Sequence, residues 1–197
     1  MLTTRRGPIA CLALLLAGIL LWAAPAVRAA TVLALDLAAL VRQSDEIVIA
    51  RAEGERSHYR PDRLIVTDVK LRVLDALKGK AHVGDVLVAT RLGGSVDGIG
   101  LAVPGEASFP SDRSAIVFLR HVDATGELQA VGMSQGVLPI EGDGATATVM
   151  PGGAGAALVQ RADDGKLVSA PDALLHPQTL RSVLGQIQKL VAPTHAR

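Results

Sequence analysis

The sequence predicts a mainly β fold: a small antiparallel barrel or sandwich with a short N-terminal helix and a C-terminal amphipathic helix. Three observations predict it. Residues 64–75, LIVTDVKLRVLD, alternate over a long strand, with Ile65, Thr67, Val69, Leu71 and Val73 on one face and Asp68, Lys70 and Arg72 on the other. Six to eight short β-rich stretches are separated by glycine-containing turns. No regular strand–helix alternation occurs, which argues against a doubly wound sheet.

The elements follow in order. Asp36 is placed to cap a short helix over 36–43 that puts Leu37, Leu40 and Val41 on one face. Glu46 to Ala52 is almost continuously apolar, as expected of a strand buried on both faces. The long strand at 64–75 closes at Leu77-Lys78-Gly79, and Asp85–Leu92 alternates again through Val86, Val88 and Thr90. A glycine-rich loop then leads to a buried strand at Ser114–Arg120, and Asp123-Ala-Thr-Gly126 turns the chain into Glu127–Val131. Two strand–turn–strand units follow, around Gly142-Asp143-Gly144 and Asp163-Asp164-Gly165. In HPQTLRSVLGQIQKLV, Leu180, Val183, Leu184 and Ile187 recur at helical spacing, so this helix is expected to cover an end of the barrel.

The chain has 197 residues, is 49% hydrophobic and carries a formal charge of +1. Its first 30 residues distort those figures. Arg5 and Arg6 precede an apolar run from Ile9 to about Ala24, Pro25 breaks it, and Val27-Arg28-Ala29 offers small residues for a signal peptidase. The run is shorter than the ~20 residues that span a bilayer, so cleavage after Ala29 or Ala30 is expected rather than a membrane anchor. Cys11 lies too early for lipidation, and the leucine-rich core fits unfolded export better than the twin-arginine route that Thr4-Arg5-Arg6 resembles. Cleavage removes three of 20 basic residues and none of 19 acidic ones, giving −2. It also removes the one cysteine and the one tryptophan, leaving Tyr59, Phe109 and Phe118 as the aromatics. Without an aromatic platform or basic excess, nucleic acid is not an expected partner. Asparagine is absent and arginine far exceeds lysine, as in GC-rich bacterial genomes, so periplasm or secretion is the expected destination. The expected organisation is a signal peptide at 1–30 and one β-rich domain at 31–197. Within it lie a barrel core at about 44–141, a hairpin extension at 142–170 and a helix at about 177–191.

Few motifs carry chemistry. Gly132-Met-Ser134-Gln-Gly136 matches the G-x-S-x-G nucleophile elbow, but Pro139 makes the helix that should follow implausible. A structural turn with glycines at positive φ is the expected reading. The 93–105 loop lacks the Lys-Ser/Thr of a phosphate-binding loop. It is expected to be a mobile loop at the barrel mouth, with Asp97, Glu106 and Phe109 as candidate partner-binding residues and Phe109 the better fit to a plug for the barrel end. His58, His82, His121, His176 and His195 form no i, i+4 zinc pair; His58 with Asp62, or His121 with Asp123, would need the fold to assemble a site. No catalytic residue, metal or cofactor is therefore assigned.

Four stretches carry a resemblance to a family of uncharacterised exported bacterial proteins: Ser44-Asp-Glu-Ile-Val-Ile-Ala50, the strand ending Leu74-Asp-Ala-Leu-Lys-Gly79, Gly93 through Phe109 into Ala115–Leu119, and Val131–Gly136. More remotely, the same layout is similar to the OB-like barrel of netrin-type modules and tissue inhibitors of metalloproteinases. Those inhibitors chelate a protease zinc through an N-terminal cysteine. The mature chain has none, so the resemblance implies a fold and not that mechanism. The expected function is that of an exported, non-enzymatic barrel binding another exported protein through the 93–109 loop or an exposed edge. The alternatives are a hydrolase using Ser134 or a His/Asp cluster, and a carrier of a small apolar ligand.

Overall fold

The structure, a computed structural model, describes residues 30–152, 155–170 and 176–192. The expected signal sequence lies almost wholly outside them. Strand β1 (Ala30–Leu33) leads to helix α1 (Leu37–Gln43), and Asp36 Oδ1 caps the helix by accepting from Ala39 N at 2.6 Å. At the other end, Ser44 Oγ donates to Leu40 O at 2.6 Å and Lys78 Nζ donates to Val41 O at 2.9 Å. A cation thus meets the carbonyls the helix leaves open.

The barrel is built from β2 (Glu46–Tyr59), β3 (Ile65–Lys78) and β4 (Val86–Leu92), followed after the hairpin β5 (Gly94–Val96) and β6 (Ile99–Leu101) by β7 (Ala115–His121) and β8 (Leu128–Ala130). Strand order β7-β2-β3-β4-β8, with β8 pairing back onto β7, closes five strands into a barrel. Three register shifts along the β2–β3 pair supply the local coiling that closure demands. The predicted long strand alternates from Thr67 on: Ile65, Thr67, Val69, Leu71 and Val73 are buried and Lys70 is exposed, but Val66, on the face expected to meet solvent, is buried as well. The interior is filled by small aliphatic side chains, including Val48, Ala50, Leu71, Ala89, Val117 and Leu119.

Strand β9 (Val137–Glu141) pairs with the N-terminal half of the β7 edge, whose C-terminal half holds β8. It extends the sheet outward through β10 (Thr148–Val149). Farther along come β11 (Ala156–Arg161), β12 (Leu167–Ser169), β13 (Gln178–Thr179) and helix α2 (Leu180–Val191). Helix α2 does not cover a barrel end. Its buried Val183 and Ile187 join Leu40 of α1 against Ile47, Phe118 and Leu138 on the outer wall made by β2, β7 and β9. The reason is in the strands: Ile47-Val48-Ile49-Ala50 and Ala115–Leu119 are apolar on both faces, so the interior satisfies one face and the helices must cover the other. The helix also starts later than expected, because Gln178 and Thr179 pair with β10 before Thr179 caps it. The 142–170 region divides: β10 joins the main sheet, while β11 and β12 form a separate sheet with β1, which pairs parallel to β11.

Candidate functional site

The segment between β4 and β7 leaves the barrel at Gly93. Its N–H donates to Ile65 O at 2.9 Å, and its carbonyl accepts from the buried Thr67 hydroxyl at 2.6 Å. The chain then forms the β5–β6 hairpin, a two-stranded unit paired to no barrel strand, with Ser95 N donating to Ser57 Oγ at 3.3 Å near its base. Asp97 at φ 50° and Gly98 at φ 80° make the tight reversal, the pairing of signs that matches strand twist. Asp97 is exposed at the tip, and Ile99 is 60% exposed. Part of the expected glycine-rich loop is therefore a hairpin, Gly94–Leu101. Val96-Asp97-Gly98-Ile99, an Asp-Gly pair between β-branched residues, was the available signal.

After the hairpin the chain returns toward the barrel. Ala107 is buried among the interior side chains, and Phe109 packs partly buried against the same cluster. Glu106 lies elsewhere, on the wall of a cleft of about 300 Å³. The three candidate residues thus share one segment and three surroundings: a solvent-facing tip, a cleft wall and the barrel core.

The cleft runs along the face of β9 that the helices leave uncovered. Val137, Pro139 and Glu141, alternate residues of that strand, form its floor. Glu106, Ser108 and Pro110 stand on one side, Met150 and Pro151 on the other. Glu141 meets a charge cluster at one end. Arg113 Nη2 lies 2.8 Å from Asp112 Oδ2, and Arg113 Nη1 lies 3.1 Å from Glu141 Oε1. The hydrogen bond between Arg113 and Asp112 raises the guanidinium pKa and holds the Asp112 carboxyl below its ordinary value. Sequence reasoning did not single out Arg113, Glu141 or Met150, because only the β7–β9 pairing and the β9–β10 turn bring them together.

Ser134 also lines this cleft, near the Glu106 end, since its N–H donates to Gly105 O at 3.0 Å. It sits in a 3-10 turn, Met133–Gly136, not on a strand-to-helix elbow. Gly132 supplies positive φ (66°) as expected, and Met133 follows at 60°, a backbone region costly for a side-chain-bearing residue. Gly136 has a different requirement: a Cβ there would press on Val131 O. The serine is 8% exposed, and its hydroxyl is buried without a hydrogen-bond partner among the described residues. Among the described residues no histidine holds it, so they do not assemble the arrangement of an activated nucleophile around it.

The ion pairs of His58 and His121 are with aspartates other than those the sequence suggested, although His58 and Asp62 line one cleft. His58 Nδ1 lies 3.7 Å from Asp68 Oδ2, while Asp62 is taken by Arg60. His121 Nδ1 lies 3.5 Å from Asp45 Oδ2, not beside Asp123. Among the described residues no three His, Cys, Asp or Glu side chains gather as a metal site. A second cleft, about 470 Å³, lies between the β2–β3 turn and the turn after β7, but its Arg60 is already satisfied by Asp62 and Glu127. No helix of the described residues is long and apolar enough to cross a membrane. In comparison with known proteins, no family model matches the chain, and neither a curated protein nor a solved structure matches it.

Proposed function

We propose that the chain is an exported, non-enzymatic, OB-like barrel domain that binds another exported protein through the β5–β6 hairpin. One observation carries the reading. The hairpin is a two-stranded unit, independent of the barrel ladder, that holds Ile99 60% exposed beside the Asp97 tip. A large aliphatic side chain held in water by a tight turn gains from burial against a partner, roughly 1.5–3 kcal/mol when fully covered. Export rests on the residue 1–30 pattern of basic start, apolar run and small residues. The OB-like assignment rests on five-strand closure with one edge of β7 shared by β8 and β9.

A photo-activatable phenylalanine placed at position 99 of the exported protein tests the reading, with the same label at Val83, another exposed apolar residue, as control. A discrete cross-linked protein at 99 and none at 83 is expected; equal labelling at both positions, or none, overturns the proposal. N-terminal sequencing of the exported product tests export separately, with a start at Ala30 or Thr31 expected.

A further inference from the structure

The turn at Met133–Gly136 ties together parts of the chain that lie far apart in sequence. On one side it holds the N-terminal strand. Gln135 Oε1 accepts from Leu35 N, Gln135 Nε2 donates to Leu33 O, and a Cβ on Gly132 would come within 2.6 Å of Leu35 Cδ1. On the other it holds the return leg of the β5–β6 hairpin, because Ser134 N donates to Gly105 O at 3.0 Å. Gly105 also lies against β11: a Cβ there would meet Ala156 Cβ at 2.8 Å. Strand β11 is itself the partner of β1, with Ala30–Leu33 in register with Ala156–Val159 and Ala34 N donating to Val159 O at 2.8 Å. Both elements that fix Gly105 are therefore bonded to β1 or to the residues just after it. Met133 makes the turn sensitive to that grip. It stands at φ 60°, directly after Gly132 at 66°, in a region that a side-chain-bearing residue keeps only where its surroundings enforce it. The torsions of Met133 orient the peptide unit whose N–H is the Ser134 donor, so the conformation of Met133 and the hold on Gly105 are one feature.

We propose that β1 is a latch on the hairpin. While β1 is docked between β11 and Gln135, Met133 stays left-handed and the return leg stays fixed at Gly105. When β1 leaves, Met133 relaxes, the Met133–Ser134 peptide rotates and the bond to Gly105 O is lost. The hairpin then keeps one fixed leg, at Gly93, where Ile65 and Thr67 hold the chain, and one free leg. The five-strand closure uses neither β1 nor the Gly105 bond, so the latch opens without opening the barrel. A short strand near a chain end is the kind of element that detaches at low cost. The inference concerns the freedom of the hairpin and stands whether or not the hairpin docks a protein.

Residue-resolved amide hydrogen exchange of the exported protein tests it. Ala34→Pro removes the donor to Val159 O and leaves the turn untouched. Exchange at Ser134 and Glu106, whose amides bond Gly105 O and Val103 O, is expected to quicken about tenfold or more, with Leu71 and Val117 of the barrel unchanged. Gln135→Ala frees the other edge of β1, is expected to act in the same direction, and carries the test if the proline variant does not fold. Met133→Gly separates a latch from mere proximity. Glycine keeps positive φ without strain, so the turn persists when β1 leaves. In that background Ala34→Pro or Gln135→Ala is expected to deprotect Leu35 as before, but to quicken Ser134 and Glu106 less than about threefold. Full protection at Ser134 and Glu106 after β1 is released, or an effect on them that Met133→Gly does not diminish, overturns the proposal.

Discussion

The carboxylate of Glu46 stands where a Cβ on Gly79 would have to be. From that position it accepts Lys80 N at 2.8 Å and Ala81 N at 3.1 Å, so a buried anion at the start of β2 ties down the turn after β3. Gly79 itself is at φ 105°, a region unfavourable to side-chain-bearing residues. Gly79→Ala is therefore expected to cost about 3 kcal/mol, from backbone strain plus displacement of the carboxylate from its donors. Urea unfolding measures it. In a Glu46→Ala background the same substitution is expected to cost only the strain, roughly 1–2 kcal/mol, because the collision is gone. Equal costs in both backgrounds would show that the two residues do not oppose each other.

Gln135 closes the free edge of β1 in place of a strand. Its Oε1 accepts from Leu35 N at 2.8 Å and its Nε2 donates to Leu33 O at 3.0 Å. The amide thus stands in for a neighbouring backbone along that edge. Gln135→Ala is expected to cost about 2 kcal/mol, since two part-buried backbone groups lose their partners. Hydrogen exchange locates the effect: Leu35 and the β1–β11 pair are expected to lose protection while the barrel strands keep theirs. Uniform loss across the chain would make Gln135 a global determinant instead.

These two contacts explain what was legible in the sequence. Short-range signals were readable: Asp36 as a cap, the alternation from Thr67 to Val73, and the turn before Leu128. The Ser44-Asp-Glu46 and Lys78-Gly79 stretches were visible as pattern, but the Lys78 bond to the end of α1 and the Glu46 bonds to Lys80 and Ala81 depend on the β2–β3 pairing. Strand β1 was missed for a related reason. Four residues carry little periodicity, and its partner Ala156–Val159 lies on the far side of the barrel in sequence. Glu106 was singled out from the sequence, but the cleft it lines is not local. Its floor comes from β9, and its polar end from a turn held to Gly105 by one backbone bond. Helix α2 was found by its stripe yet placed on a barrel end, because periodicity tells which face is apolar and not what covers it.

Phe109 and Ile99 separate core from contact surface. Phe109 packs against the barrel interior, whereas Ile99 faces water. Phe109→Ala is expected to cost about 2 kcal/mol, less than a fully buried aromatic because the ring is only partly covered. Ile99→Asp is expected to shift stability by less than about 0.5 kcal/mol, as surface changes do, while abolishing co-purification of the partner that position 99 cross-links. Denaturant midpoints of the two variants decide it; a stable Phe109→Ala protein would count against the plug.

Asp45 gives the fold an acid-sensitive contact. Its Oδ2 accepts from His121 N at 2.7 Å, and this bond holds its pKa below the ordinary 3.8. A carboxylate with a depressed folded-state pKa contributes stability that is fully present above the unfolded value and is lost as pH falls through the folded value. Asp45→Asn keeps an acceptor for the His121 amide but removes the charge, so it isolates that contribution. The wild type is expected to exceed the variant by less than about 1 kcal/mol at pH 6, because both side chains are 57% exposed and water screens the interaction. The difference is expected to shrink below pH 4 and vanish once Asp45 is protonated. Urea unfolding of both proteins between pH 6 and pH 2.5 measures it, and a difference that stays constant over that range would place the contribution in something other than the carboxylate charge.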